Sequence, residues 1–237
     1  MATTPKPDTI IIDDKEYSLS HIKDLSVSID LVLSNGETRS VTVNIFCTNH
    51  VYSRKLKDVD EQLLNEYKKK GSLLTSYQYK KGNPDDLALR QNAPIEKEKR
   101  IFDTEKYKSS FYIPRFFKAP QETLKNRCIL ANKGDDKTCF SCMFELDDLD
   151  EGYAFLLMFK LTKISGNTIN LLIETAYIEQ IEKDNRLQKI KKITKSSRDE
   201  LRPLSVLLKN ILEGRKAFET ARFSKRTRRR KKNKQKK

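Results

Sequence analysis

Apolar and polar residues alternate along the chain on both sides of the dipeptide Asn35-Gly36. A period of two is typical of strands with one buried face, and Asn-Gly between two such segments is a strong hairpin pattern. Asn-Gly favours a type I′ turn because both central residues of that turn need positive φ. The pattern therefore predicts a hairpin with strands at about residues 25–34 and 39–47.

Further segments with strand character follow the same reasoning. They are residues 9–17, 128–130, 138–146, 153–161 and 168–177. The first is short and is predicted as an edge strand, whereas the last two are joined by a Ser-Gly-Asn turn. Because Phe155 to Phe159 are apolar at consecutive positions, the last two strands are predicted to lie centrally in a sheet that is covered on both faces.

Three segments have helical spacing of apolar or aromatic residues. Residues 58–70 predict a helix that Gly71 can end. Residues 104–113 predict an aromatic-rich helix that Pro114 stops or kinks. Residues 203–220 carry an apolar stripe, and the corresponding helix either packs on the sheet or pairs with another chain.

The order of these elements defines a fold class and a division of the chain. It predicts an α+β fold, with a mostly antiparallel sheet of about five to six strands and two to three helices. Residues 1–8 are predicted as a flexible arm, residues 9–221 as a single domain and residues 222–237 as a disordered basic tail. Turn-type dipeptides and lysines near residues 71–99 predict a long surface loop within that domain.

Positive charge is concentrated at the C-terminus. The formal net charge is +15, and residues 222–237 contain eleven basic residues and no acidic one. Removing these eleven charges leaves +4 for residues 1–221, so the rest of the chain is nearly balanced. A segment of this composition lacks the apolar residues to fold alone, and its charges repel one another into an extended arm.

This tail predicts binding to nucleic acid, with RNA favoured over DNA. Phosphate contacts by lysine and arginine release condensed counterions, which gives affinity that falls steeply with salt. The central arginines also favour bidentate phosphate contacts and stacking on exposed bases. The residues predicted to bind nucleic acid are Lys225, Arg226, Arg228, Arg229, Arg230, Lys231, Lys232 and Lys234. The alternatives are a solubilising tail, an anchor for anionic lipid and a nuclear import signal.

The remaining composition limits the class of protein. No apolar run reaches the roughly 18–20 residues of a membrane span, and residues 1–8 lack the apolar core of a signal peptide. Four cysteines are too few for a disulfide-stapled secreted scaffold. Motifs for phosphate, dinucleotide, serine-hydrolase and zinc-peptidase sites are missing, so no cofactor is expected. We therefore expect a soluble cytoplasmic protein, or a nuclear one in a eukaryote.

Two short motifs could together hold zinc. Cys47 and His50 form a C-x2-H pair, and Cys139 and Cys142 form a C-x2-C pair, so the four could close a tetrahedral Cys3His site. The pairs are far apart in sequence, however, and the second lies among apolar and aromatic residues. This context favours ordinary buried cysteines over a structural zinc site.

The segment after the first hairpin supplies parts for metal-independent cleavage of RNA. A histidine or tyrosine can move the proton of a 2′-hydroxyl, while arginine stabilises charge on the phosphate. The candidate catalytic residues are His50, Arg54, Tyr107, Ser110 and Tyr177. The simpler interpretation is a polar loop after a strand, with His50 hydrogen-bonded and Arg54 solvated.

Three functions therefore remain open from sequence. The first is a nucleic-acid-associated protein, without enzymatic activity, that uses its tail for affinity. The second is a ribonuclease of the kind found in bacterial toxins, centred on His50 and Arg54. The third is an adaptor that forms a homodimer through the helix at 203–220 and uses the tail only for localisation. Aromatic residues interleaved with basic ones at 100–118 could also stack on bases, although such residues more often fill a core.

Overall fold

The protein is described by a computed structural model. The described residues are 8–56, 61–78, 96–131, 139–144, 148–185, 187–188 and 201–218. The predicted tail at 222–237 and nearly all of the predicted arm at 1–8 lie outside these ranges. Within them, the α+β class predicted from the sequence is confirmed.

Strands account for almost half of the described residues. They are β1 (Thr9–Ile12), β2 (Lys15–Ser18), β3 (Leu25–Val32), β4 (Thr38–Cys47), β5 (Ser53–Lys55), β6 (Leu73–Gln78), β7 (Glu96–Phe102), β8 (Cys128–Ala131), β9 (Cys139–Phe144), β10 (Tyr153–Ser165), β11 (Thr168–Gln180) and β12 (Leu201–Pro203). The α-helices are α1 (Glu61–Lys69), α2 (Thr104–Ser110), α3 (Tyr112–Phe117), α4 (Gln121–Asn126) and α5 (Leu204–Leu212).

The main sheet has seven strands in the order β12-β8-β9-β10-β11-β4-β3. Its neighbouring strands are antiparallel except for β4 and β11, which are parallel. The prediction of a mostly antiparallel sheet is therefore confirmed, with one or two strands more than expected. A separate three-stranded sheet has the order β5-β7-β6, and β1 pairs with β2 rather than forming an edge strand of the main sheet.

The first predicted hairpin is confirmed as β3 and β4, but its turn differs from the prediction. Among the turn residues, Gly36 has positive φ (85°) and Asn35 does not. The Gly36 amide donates to the Leu33 carbonyl at 3.1 Å, and the Leu33 amide donates to the Glu37 carbonyl at 2.8 Å. This is the pattern of a type I turn followed by a glycine bulge, so a single left-handed residue is enough to close the loop.

The predicted central position of β10 and β11 is confirmed, because they are the fourth and fifth of the seven strands. Consecutive residues of β10 are buried because the sheet is covered on both faces at this end. Phe155 and Leu157 belong to the large core beneath α3, α4 and α5. Ala154 and Leu156 point to the opposite face and pack in a smaller cluster.

The prediction of a long loop near residues 71–99 is wrong at both ends of that range. Leu73 to Gln78 form β6, which pairs antiparallel with Glu96 to Phe102 of β7, and residues 79–95 lie outside the description. A loop was predicted here because the segment is rich in charged residues: β7 begins with Glu-Lys-Glu-Lys-Arg before its two apolar residues. Charged residues are depleted in strands as a rule, but pairing and burial override that preference.

The single aromatic helix expected at 104–113 is two helices. The helix α2 ends at Ser110 and α3 begins at Tyr112, although φ and ψ of Phe111 between them are helical (−66° and −16°). Pro114 lies in the first turn of α3, where its missing amide proton costs no helical hydrogen bond. Pro114 also has no amide proton to donate to the Ser110 carbonyl four residues earlier, so the interruption after Ser110 agrees with the predicted stop or kink.

The last helix is also shorter than predicted, and its apolar stripe is used within the chain. It ends at Leu212 and is followed by Gly214 with φ of 73°, so Arg215 lies beyond it. Leu204, Leu207 and Leu208 are buried in the large core. Of the two interpretations of this stripe, the structure adopts packing on the sheet. The apolar residues on which the prediction of a homodimer through 203–220 was based are therefore buried within the chain.

The end of α1 follows the sequence prediction closely. The Ser72 amide donates to the Tyr67 carbonyl at 3.0 Å and the Gly71 amide to the Lys68 carbonyl at 3.1 Å. This pair of bonds is a Schellman motif, which requires a left-handed residue, and Gly71 has φ of 68°. A Cβ at this position would lie 2.7 Å from the carbonyl oxygen of Ile11 in β1.

We expect Gly71→Ala to lower the free energy of unfolding by at least about 1–2 kcal/mol, the usual cost of a left-handed conformation for an L-residue. Urea denaturation followed by circular dichroism measures it. Gly166→Ala is the control, because a Cβ there meets nothing within 4 Å. Equal effects of the two substitutions would contradict this account.

Candidate functional site around helix α2

The helix α2 brings together much of the chemistry that the sequence singled out. Asp103 starts this helix, because its Oδ1 accepts hydrogen bonds from the amides of Glu105 at 3.1 Å and Lys106 at 3.0 Å. The Asp103 amide donates to the Tyr52 carbonyl at 3.0 Å. The helix is thereby fixed to the segment that follows β4, which holds His50 and Arg54.

Lys106 is the residue on which the first group of contacts converges. Its Nζ donates to the carbonyl oxygen of His50 and to Oγ1 of Thr175, both at 3.2 Å. The same nitrogen lies 5.6 Å from the centre of the Tyr177 ring. Lys106 therefore connects α2 to the end of β4 and to β11.

These contacts lie where the two parallel strands separate. The Thr48 amide donates to the Ile173 carbonyl at 3.0 Å, and the Thr48 hydroxyl donates to the Glu174 carbonyl at 2.8 Å. Beyond that point β4 turns into the short 3₁₀ helix Asn49–Val51, while β11 continues. Polar groups from the end of β4, from β11 and from α2 therefore meet at this point.

The electrostatic environment of Lys106 is positive. Burial lowers the pKa of its ammonium group, and the charge of Arg100 lowers it further, while Asp103 acts in the opposite direction. The Arg100 side chain is itself buried and donates to Oγ and to the carbonyl oxygen of Ser53, at 2.8 and 2.9 Å. Two cations close together favour binding of an anion.

Arg54 and Tyr177 lie at the border of this group. The Arg54 side chain is 63% exposed, and its Nε is 3.8 Å from Oδ2 of Asp103. The Tyr177 hydroxyl donates to Oδ2 of Asp184 at 3.1 Å. Of the five predicted catalytic residues, His50, Arg54 and Tyr177 are therefore grouped around Lys106 and Asp103, with His50 contributing its backbone carbonyl.

Tyr107 and Ser110, the other two predicted residues, make a different set of contacts. The Tyr107 hydroxyl donates to the Ser18 carbonyl at 2.9 Å. Ser110 is fully buried, donates to the Tyr107 carbonyl at 2.6 Å and lies 2.7 Å from Nε2 of His21. A buried serine hydroxyl with both of its partners inside the protein does not reach a substrate, so the predicted constellation is divided.

His21 is the histidine that the sequence did not single out. Its ring stacks on Phe111 with centroids 3.8 Å apart and planes within 4° of parallel. It also meets the edge of Tyr107 at 5.8 Å. Burial lowers the pKa of His21 more strongly than its hydrogen bond to the Ser18 backbone raises it.

Two cysteines of the proposed zinc set lie too far apart to share an ion. Cys47 is on β4 and Cys142 on β9, with β10 and β11 between them. Three strand spacings amount to about 14 Å, whereas zinc–sulfur bonds are about 2.3 Å. Burial raises the pKa of the Cys142 thiol to about 12, so it is a neutral thiol. Among the described side chains, no group of three histidine, cysteine or carboxylate residues is arranged to hold a metal ion.

Comparison with known proteins identifies a family. Residues 9–212 match the family model described as YjaZ family. The chain belongs to the YjaZ family. No curated protein and no solved structure matches it. The match spans every strand and helix described above, so the YjaZ-family region includes both groups of contacts around α2 and stops short of the basic C-terminal segment.

Sequence reasoning missed Lys106, Arg100 and His21 in this YjaZ-family chain. Each of these residues is distinguished by a contact with a residue distant in sequence. His21 and Ser110 are 89 positions apart, and Lys106 and Thr175 are 69 positions apart. The one local signal was Asp103, an N-cap residue directly before a helical segment, which fixes where α2 begins. Within the described ranges, no helix has the length and apolar character needed to cross a membrane.

The lowered pKa of His21 predicts a pH dependence of stability. The unfolded chain binds a proton at a higher pH than the folded protein does, so His21 contributes stability above about pH 6.5 that is lost as the pH falls further. Urea denaturation at pH 7.5 and pH 5.0 measures this difference. We expect His21→Gln to reduce it. If His50→Gln, which removes the other histidine, reduces it instead, the assignment to His21 fails.

Proposed function

We propose that this YjaZ-family protein associates with nucleic acid, with RNA favoured over DNA, and that residues 222–237 supply most of its affinity. The observation that carries this proposal is the charge distribution: eleven of the fifteen net positive charges lie in the last sixteen residues. Phosphate contacts by such a segment release counterions whatever the base sequence. The tail therefore gives affinity, and any sequence preference belongs to the folded body.

The fold supports this division by anchoring the chain just before the basic segment. Beyond α5, the Arg215 amide donates to the Asn210 carbonyl at 2.7 Å, and the Asn210 side-chain amide donates to the Ala217 carbonyl at 2.8 Å. The Phe218 ring then stacks on Phe140 of the core, with centroids 5.6 Å apart. The basic segment thus begins four residues after a fixed point on the body, so a polymer bound to it is held next to the folded domain.

The tail model predicts a defined change in salt dependence. Each phosphate contact to a single strand contributes roughly 0.7 to the slope of log affinity against log salt. Replacing Arg228, Arg229 and Arg230 by glutamine removes three charges, so we expect the slope to flatten by about 2. Fluorescence anisotropy with a labelled single-stranded RNA across a salt series measures this.

The matched control removes three charges from the body. Lys15, Lys118 and Lys183 are exposed residues from separate parts of the chain, and their replacement by glutamine lowers the net charge by the same amount. We expect a much smaller change of slope for this variant. Equal slopes for the two triple variants would show that net charge, and not the tail, determines binding.

One observation favours a second candidate, phosphodiester cleavage near Lys106. Its support is the set of contacts of the half-buried Lys106, whose ammonium group bonds to the backbone carbonyl of His50 and lies near the Tyr177 ring, both being residues predicted to catalyse cleavage. A lysine with a lowered pKa beside a second cation stabilises negative charge that develops on a phosphate. In this smaller site Lys106 and Arg54 would hold the phosphate, and His50 and the Tyr177 hydroxyl would be the groups that move protons.

Cleavage is tested with the full chain and a labelled single-stranded RNA. If the site is catalytic, Lys106→Met abolishes cleavage, whereas Lys125→Met, on α4, leaves the rate unchanged. The pH dependence of the cleavage rate is compared between the unchanged protein and His50→Gln. A change in one limb of this pH–rate profile supports the role of His50 in proton transfer. Cleavage that persists in purified Lys106→Met protein removes this second function and does not affect the binding proposal.

A further inference from the structure

The main sheet has one face that is only partly covered. Alternation along the strands sends the core residues of β3, β4, β10 and β11 to one side, beneath α3, α4 and α5. The opposite side of these four strands carries a set of side chains that we call the open face. Near Phe46 it consists of Ser26, Ser28, Thr42, Asn44, Phe46, Lys160, Thr162, Asn170 and Leu172; the same side of the β3–β4 hairpin continues beyond this part with Asp30, Val32 and Ser40.

The open face is poor in charge for a chain in which 34% of residues are charged. Most of its side chains are short hydroxyls and amides. Asn44 donates through Nδ2 to Oδ1 of Asn170 at 3.3 Å, which links β4 to β11. The cation Lys160 forms an ion pair of 2.8 Å with Glu174 at the border of the face. The surface is therefore flat, nearly neutral and rich in groups that donate and accept hydrogen bonds.

Phe46 interrupts this polar surface. It lies opposite Leu172 on the parallel neighbour, one residue before the end of β4, and is 49% exposed. The solvated face of a sheet ordinarily carries polar residues at such positions. An aromatic ring left exposed on a flat, open sheet is the arrangement by which sheet-faced RNA-binding modules stack on unpaired bases.

The β3 edge of the same sheet is blocked near its middle by α4. Gln121 of α4 donates through Nε2 to the Ser28 carbonyl at 3.1 Å and accepts through Oε1 from the Asp30 amide at 3.4 Å. One amide side chain thus occupies two adjacent backbone positions in the middle of β3 that an added strand would use. An extended peptide cannot pair there without displacing Gln121.

We propose that the open face binds unpaired bases of single-stranded nucleic acid, with a base stacked on Phe46. This inference deepens the proposed function and rests on it. The amides of Asn44 and Asn170 are placed to meet base edges next to the stacked base. Lys160 lies one strand beyond Leu172, and Lys106 is bonded to Thr175 further along β11, so cations border the face on the side where phosphates would lie.

The length of the C-terminal segment permits both parts of the protein to hold one strand. Residues 219–237 can span up to roughly 60 Å when extended. Three spacings across the four strands of the open face amount to about 14 Å. Phe218 packs on the core side of the sheet, so the basic segment must pass around the sheet to reach the open face, and its extended length is several times the width of that face. The tail supplies the affinity common to all nucleic acids, and the face distinguishes unpaired from paired bases.

The test compares full-length variants on a labelled single-stranded RNA and on a duplex of the same length, at fixed salt. Loss of a stacked base costs enough that Phe46→Ala should raise the Kd for the single strand roughly tenfold. The Kd for the duplex should stay unchanged, because paired bases do not stack on a side chain. We expect Phe46→Leu to behave like Phe46→Ala, and Phe46→Tyr to bind like the unchanged protein.

Phe111→Ala is the matched control, because Phe111 is 46% exposed but lies beside His21, away from the open face. It should leave both Kd values unchanged. An equal effect of Phe46→Ala on single strand and duplex, or no effect on either, overturns the inference. A change in sedimentation instead of RNA binding also overturns it, because it would show that the face contacts a protein.

The two proposals fail in different ways. If Phe46→Ala has no effect while the Arg228, Arg229 and Arg230 triple variant still loses affinity, only the open-face inference is wrong. If that triple variant binds like the unchanged protein, the tail model is wrong. The effect of Phe46→Ala on the ratio of single-strand to duplex affinity still tests whether a base stacks on Phe46.

Discussion

The architecture depends on the parallel pairing of β4 with β11. Residues 42–47 pair in register with residues 168–173, and through this contact the N-terminal hairpin joins the long C-terminal hairpin in one sheet. Every later feature uses the junction. The core under α5 requires a continuous sheet, the Lys106 contacts lie where the two strands separate, and the open face exists only because four strands lie side by side. Without this pairing the main sheet would divide into the β3–β4 hairpin and a five-stranded sheet, and an isolated hairpin is marginally stable at best.

Local patterns in the sequence were enough to predict most strands. Each of these patterns reflects the conformational preference of a few neighbouring residues. The examples are the alternation around Asn35-Gly36, the apolar run from Phe155 to Phe159 and, for a helix end, the glycine after α1. The β6–β7 pair was not predicted because many residues of β7 are charged. Its strand pairing depends on tertiary context and not on local residue preference. The end of α5 was placed too late because the apolar stripe continues to Phe218, which packs on the core without being helical.

The candidate site could be predicted only in part for a related reason. The segment after β4 was identified from its residue types, and three of the five predicted residues contact Lys106 or Asp103, His50 through its backbone carbonyl. Lys106 was one of many lysines in the sequence and is distinguished only by its partners, which come from two other elements. Ser110 was chosen for its hydroxyl, but its burial against His21 depends on a contact across 89 residues. Residue type suggests chemistry, whereas access and position depend on the fold.

The long separation of β4 from its parallel partner also has a consequence for the newly synthesised chain. About 120 residues must be added after β4 before β11 is available, and at about 5–20 residues per second this takes roughly 6–25 s. During that interval one side of β4 exposes unpaired backbone groups, and Gln121, which blocks the edge of β3, is itself made only later. Nascent hairpins with two free edges invite pairing with other chains, so folding during translation is the stage at which this protein is most vulnerable to aggregation.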